Sequence, residues 1–152
     1  MSNQIRTKVK DIAKAIEDFA PLRLKESWDN PGLQVGDPEM EVSAVLLCLD
    51  VTEEILQEAK KRDCNMIVSH HPLIFGGLKR LTGATCVERI AADALRSDIA
   101  IYSAHTNLDS AFEGDALHHS RSGFCLHNYF HSFRIMNAHN VFFGSPQGMV
   151  KS

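Results

Sequence analysis

The chain has 152 residues, 44% hydrophobic, 23% charged and 7% aromatic, with a formal net charge of −3. This length suits one domain that buries roughly 70% of its unfolded surface, and the apolar share excludes disorder as a description of the whole. Apolar runs such as 44–49 fall far short of the ~18 residues a membrane span needs. The polar start Met1-Ser-Asn-Gln-Ile-Arg-Thr-Lys8 is no secretory signal, so a cytosolic chain is expected.

Mild acidity argues against nucleic acid as the main partner, because neutralising phosphates takes clustered Lys and Arg. The one basic cluster, Lys60-Lys61-Arg62, sits where a helix should end and suits the negative end of its dipole. Cys48, Cys64, Cys86 and Cys125 have neither C-x-x-C nor zinc-finger spacing and read as reduced, mostly buried thiols.

Taken in chain order, Ile5, Val9, Ile12, Ala13, Ile16 and Phe19 form one helical stripe that stops before Pro21. Residues 26–38 are rich in turn formers and predict a shaped loop with a short strand at most. The apolar run 42–49 predicts a strand buried on both faces. Thr52 then caps a helix through about Arg62, with Glu53 and Glu54 in its first turn. Residues 65–69 predict a second buried strand. Thr85-Cys-Val-Glu88 has the capping-box pattern, and Val87, Ile90, Ala91, Ala94 and Leu95 mark the buried face of the helix behind it. Residues 99–103 predict a third strand. Strands alternating with helices over short links specify an α/β fold, a mostly parallel sheet flanked by helices.

Composition changes abruptly near residue 115. All nineteen acidic residues and thirteen of the sixteen basic ones lie in the first 115, a net −6 against +3 for the remainder. The last 37 residues hold five of the eight histidines and six of the eleven aromatics. Two regions are therefore expected: 1–115, an α/β metal-binding region, and 116–152, an atypical His- and aromatic-rich tail, either disordered or an aberrant end foreign to the domain before it.

In open α/β sheets, ligands bind outside the carboxyl ends of the strands. Asp50 follows the first predicted strand, His70-His71-Pro72 the second, and Ala104-His-Thr-Asn-Leu-Asp109 the third. Three strand ends thus bring together His70, His71, His105 and Asp109. Neutral imidazole with carboxylate suits Zn, Mn, Fe, Co or Ni. Successive strand side chains alternate faces, which on its own would keep His70 and His71 from sharing one ion, but Pro72 turns the chain there and lets the two imidazoles reach two different ions, or one ion and a substrate. Asp50 reads first as ordering the following turn, with the holding of an imidazole as its alternative role. Trp28 reads as a core or interface anchor rather than a surface for stacking substrate.

Four segments, Glu26-Ser-Trp-Asp-Asn-Pro-Gly-Leu-Gln-Val-Gly36, Leu49-Asp-Val-Thr52, Ser69-His-His-Pro-Leu-Ile-Phe75 and Ser103-Ala-His-Thr-Asn-Leu-Asp109, together resemble the Nif-three-like family, also called GTP cyclohydrolase type 2 homologues. The resemblance covers roughly residues 4–114. It implies a dinuclear divalent-metal centre in a toroidal homohexamer, with His70 and His71 on different metals, Asp109 a further ligand and His105 in or beside the coordination sphere. It also implies hydrolase-like chemistry, with GTP ring opening proposed for some members and no settled substrate for most; hydrolysis of a nucleotide's purine ring or of a phosphoester would both fit such a centre. Family members continue into a second half with a His-x-x-x-Glu pair whose Glu bridges the metals. No carboxylate follows Asp115 here, and His127-x-x-x-His131 has only the spacing of such a pair. The chain is accordingly expected to be the N-terminal part of such a domain, with metal binding ahead of turnover. The alternatives are a non-enzymatic regulatory or interaction protein on the same fold, or an inactive truncated chain.

Overall fold

A computed structural model of the chain describes residues 6–116 and the strand segment 134–137, with side chains described from Arg6 to Ala111. The elements are α1 (Val9–Phe19), a short 3-10 turn (Leu22–Leu24), β1 (Gly32–Val35), β2 (Ala44–Cys48), α2 (Glu53–Lys61), β3 (Met66–Ser69), α3 (Cys86–Arg96), β4 (Ala100–Ser103), α4 (Thr106–Ala116) and β5 (Arg134–Asn137). They build one five-stranded sheet in the order β1-β4-β3-β2-β5. The three expected strands β2, β3 and β4 are its parallel centre, with Val45 opposite Met66 and Met66 opposite Ala100. The two edge strands, β1 on β4 and β5 on β2, run antiparallel.

Side-chain alternation along the central strands divides the core in two. Val45, Met66, Val68, Ala100 and Tyr102 face Val9, Ile12 and Ile16 of α1 and Leu108 of α4. Leu46, Cys48, Ile67 and Ile101 face Ile55, Leu56 and Ala59 of α2 and Ile90, Ala91 and Ala94 of α3. The result is a helix–sheet–helix sandwich, the reason these strands read as unbroken apolar runs.

The helix ends follow their sequence signals with one exception. Thr52 caps α2 by accepting from the N–H of Ile55, and Thr85 caps α3 by accepting from that of Glu88. The Glu88 carboxylate does not close the expected capping box; it accepts instead from the N–H and hydroxyl of Thr82 and the N–H of Ala84, gathering the preceding loop. Lys60 and Lys61 lie in the last turn of α2, and Lys60 is further held by Asp93 of α3 at 2.7 Å. Leu95, expected on the buried face of α3, is half exposed, because α2 and the sheet take up the Ile90–Ala91–Ala94 side. Ile5 and the tail signals at His127 and His131 lie outside the described residues. No helix among the described residues is long and apolar enough to cross a membrane.

Gly36 locks β1 against its neighbour. Its φ is +108°, and a Cβ there would stand 2.8 Å from the Ala100 Cα and 2.9 Å from its Cβ. Backbone strain and overpacking would act together, so Gly36→Ala is expected to cost about 3 kcal/mol in chemical denaturation. A loss below about 1 kcal/mol would show that β1 is not fixed on β4 in this way.

Candidate metal centre

The carboxyl ends of β2, β3 and β4 meet at one place. The backbone ladder between β2 and β3 runs on past the strands, with His70 N–H donating to Cys48 O at 3.1 Å and His71 N–H to Leu49 O at 2.9 Å. Two buried serines at paired positions, Ser69 and Ser103, fix the carbonyls of the same dipeptide. The Ser69 hydroxyl donates to His71 O at 2.8 Å and the Ser103 hydroxyl to His70 O at 3.0 Å. His105 directly precedes α4, and its carbonyl accepts from the N–H groups of Leu108 and Asp109 at 2.9 and 3.1 Å. His105 and Asp109 thus lie one opening helical turn apart.

Among the described residues, His70, His71 and His105 offer ligand atoms within 4.8 Å of one another. Their rings are mutually close, with centroid separations of 5.1 Å for His70–His71, 5.1 Å for His70–His105 and 5.5 Å for His71–His105. Strand alternation, which alone would have kept His70 and His71 from sharing one ion, does not extend to them. β3 ends at Ser69, and the tight bend closed by the Ser69 hydroxyl turns both imidazoles to one side. Asp109 flanks the cluster, with its Oδ1 3.7 Å from His70 Nε2.

Each imidazole is oriented through Nδ1 by a group that can only accept. His70 Nδ1 donates to Ala104 O at 2.9 Å, His71 Nδ1 to Asp50 Oδ1 at 2.7 Å, and His105 Nδ1 to Asp29 Oδ1 at 2.9 Å. Carbonyl and carboxylate oxygens have no proton to give, so Nδ1 carries the hydrogen in all three rings and Nε2 the lone pair. This is the second-layer arrangement that surrounds metal-bound histidines. Asp50 therefore fills the imidazole-holding role that was its alternative reading.

Asp29 was quoted in the sequence only as part of a turn-rich motif, and it is the functional residue the periodicities missed. It is 4% exposed. Besides His105, it accepts from the Thr106 N–H at 3.1 Å, the Thr106 hydroxyl, and the Asn30 N–H at 2.8 Å. Burial alone would raise its pKa; the hydrogen bonds from Thr106, His105 and Asn30 outweigh that and hold it below the ordinary carboxylate value. At His70, burial pushes the imidazole pKa down, His105 and His71 add to this, and Asp109 and the Ala104 carbonyl oppose it. Neutral His70 keeps its lone pair available near pH 7. The adjacent Cys48 is a poor donor by comparison, its thiol pushed up to about 12 by burial and then by the Asp50 charge.

Two further sites differ from the sequence reading or lie apart from the histidines. Trp28 is not a core anchor: it is largely exposed and meets His105 edge-on. The groove of about 370 Å³ between α2 and α3 is lined by already paired charges, Arg89 with Glu53 and Asp93 with Lys60, and includes none of the clustered imidazoles.

The donor chemistry fits a divalent metal of the borderline class. Among curated proteins, the chain is 46% identical over 107 residues to a GTP cyclohydrolase 1 type 2 homolog of Clostridium acetobutylicum, covering 70% of this chain and 40% of that one. It is 40% identical over 107 residues to the human NIF3-like protein 1, of which it covers 28%. Its fold is similar to the crystal structure of Staphylococcus aureus protein SA1388, with a TM-score of 0.65, 41% identity, and coverage of 68% of this chain and 33% of that one. A comparable similarity holds for reduced HcgD of Methanocaldococcus jannaschii, with a TM-score of 0.63, 36% identity, and coverage of 69% and 42%. The chain thus spans well under half the length of these relatives. Residues 7–122 match the family model described as Duf34/NIF3 (NGG1p interacting factor 3), and the chain belongs to that family.

Proposed function

We propose that the chain holds one divalent ion (Zn, Mn, Fe, Co or Ni) through His70, His71 and His105, with Asp109 as a fourth donor on the His70 side. The observation that carries this reading is the joint commitment of three clustered imidazoles. Their ligand atoms lie within 4.8 Å of one another, and every Nδ1 is engaged by an acceptor, so every lone pair sits on Nε2. Three imidazoles and one carboxylate suit a single four-coordinate ion better than the pair of ions that the family resemblance implies.

The chemistry such an ion supplies is activation of water near neutral pH and polarisation of a phosphoryl or ring carbon centre. The chain's own residues prepare that chemistry. Asp29 and Asp50 keep His105 and His71 in the ligating tautomer, Ser69 and Ser103 fix the His70-His71 backbone, and partly buried His70 resists protonation. Relatives named GTP cyclohydrolase 1 type 2 homolog support a hydrolase-like use on a nucleotide or phosphoester. Homohexameric assembly belongs to the same proposal.

The test is ion analysis of the full chain after chelator stripping, reloading with Zn or Mn and desalting. About one retained equivalent is expected, and retention no greater than that of an unrelated protein would overturn the reading. Incubation of the loaded chain with GTP and a phosphoester panel then separates the uses: product marks a hydrolase, and occupancy without product marks a non-enzymatic or inactive chain.

A further inference from the structure

Two aromatic side chains border the histidine cluster without being packed into the fold. Trp28 is 62% exposed and Phe75 is 52% exposed. Both meet the same imidazole edge-on, with centroid separations of 6.0 Å for Trp28–His105 and 5.8 Å for Phe75–His105, and interplanar angles of 76° and 86°. Single exposed hydrophobic residues are ordinary; two large aromatics converging on one imidazole of a candidate metal centre are not scatter.

The backbone that presents them is fixed. Trp28 lies between Glu26, whose N–H donates to the Thr106 hydroxyl at 3.0 Å, and buried Asp29, whose N–H donates to Glu26 O at 3.1 Å and whose carbonyl accepts from Lys25 Nζ at 2.9 Å. Phe75 follows Ile74, whose N–H donates to Gln34 Oε1 and whose carbonyl accepts from Asn30 Nδ2, both at 2.7 Å. Asn30 thus ties the Trp28 loop to the Phe75 loop. Rings held on tethered backbone lose little freedom when a ligand arrives, as in pre-formed binding sites.

We propose that Trp28 and Phe75 form a stacking wall for the planar heteroaromatic ring of a nucleotide-type ligand, whose phosphate is directed to the histidine centre. This rests on the metal-binding reading above and adds the two residues that would hold the ring. Aromatic faces accept any base, so the wall selects for planarity rather than base identity. A nucleotide joins a planar ring and a metal-seeking anion in one small molecule, which is what a wall beside a cation site can select.

Trp28 is the sole tryptophan in the chain, so its emission reports on the wall directly. The zinc-loaded full chain is titrated with AMP and, separately, with ribose 5-phosphate, which shares the anion but lacks the ring. AMP should change Trp28 emission saturably and bind about tenfold or more tightly than ribose 5-phosphate. By equilibrium dialysis, Trp28→Ala and Phe75→Ala should each weaken AMP about tenfold, while Trp28→Phe stays within about threefold of wild type. Unchanged thermal midpoints would show that the variants are folded.

Equal binding of the two ligands, or undiminished AMP binding by Trp28→Ala, would overturn the wall. So would Trp28 emission that shifts with protein concentration in the absence of ligand, which would assign these rings to a contact between copies. Zinc retained without AMP binding refutes the wall and spares the metal reading; AMP bound at Trp28 without retained zinc does the reverse.

Discussion

Replacing both adjacent histidines, His70→Ala with His71→Ala, should abolish retention of the ion, a loss on the order of 1,000-fold or more in affinity. Removing only an orienting partner of a ligand already costs 10–100-fold, and here two ligands go together. The folded state should survive. His71 is half exposed, and the bond from His70 to the Ala104 carbonyl is worth about 1–2 kcal/mol. A thermal scan separates the two effects. Zinc at 100 times its Kd should stabilise the wild type by about 2.7 kcal/mol and leave the double variant unmoved. Equal metal content in the two proteins would remove the strand-end histidines from the centre.

Asp29→Ala should damage both the fold and the site. The carboxylate satisfies two backbone N–H groups, one hydroxyl and the His105 Nδ1–H, all in a buried setting. Losing it strands several of those donors, at about 3 kcal/mol, which for a domain of this size lowers Tm by roughly 10 °C. Without its acceptor, His105 can exchange tautomers and turn, so metal affinity should fall 10–100-fold. Asp50→Ala is the useful contrast. Asp50 performs the same service for His71 from an exposed position, so it should weaken metal binding with little effect on Tm.

The pH dependence has a definite sign. The pKa of Asp29 is lower folded than unfolded, where its ordinary value is 3.8, so below about that pH the unfolded chain binds the extra proton first. The stability Asp29 confers is therefore fully present above that value and is lost as pH falls through its folded pKa. Asp29→Asn should flatten that part of the acid unfolding profile.

The elements and ligands that could be read from the sequence share a physical reason. β2, β3 and β4 are buried on both faces, so each is an apolar run; a polar residue just after such a run must sit at the sheet's carboxyl edge, where Asp50, His70 and His105 are found. What was not legible depends on contacts between distant segments. Asp29 and His105 are 76 positions apart, and nothing local distinguishes a turn-forming Asp from one that holds an imidazole. Of the two anchor readings of Trp28, core and interface, the core one fails for the same reason: its neighbours Glu26 and Asp29 are drawn to Thr106 and leave the indole at the rim. Leu95 fits a helical stripe, but the position of α2 over α3 decides which edge of that stripe is covered. β5 joins the sheet by backbone pairing with β2, which no side-chain pattern announces.

The central claim is most directly tested by anomalous scattering at the zinc edge from crystals of the full chain grown with zinc. The account predicts one strong peak about 2.0–2.1 Å from Nε2 of His70, His71 and His105. A peak on other residues, coordination through any Nδ1, or no peak at the ends of β3 and β4 would contradict it.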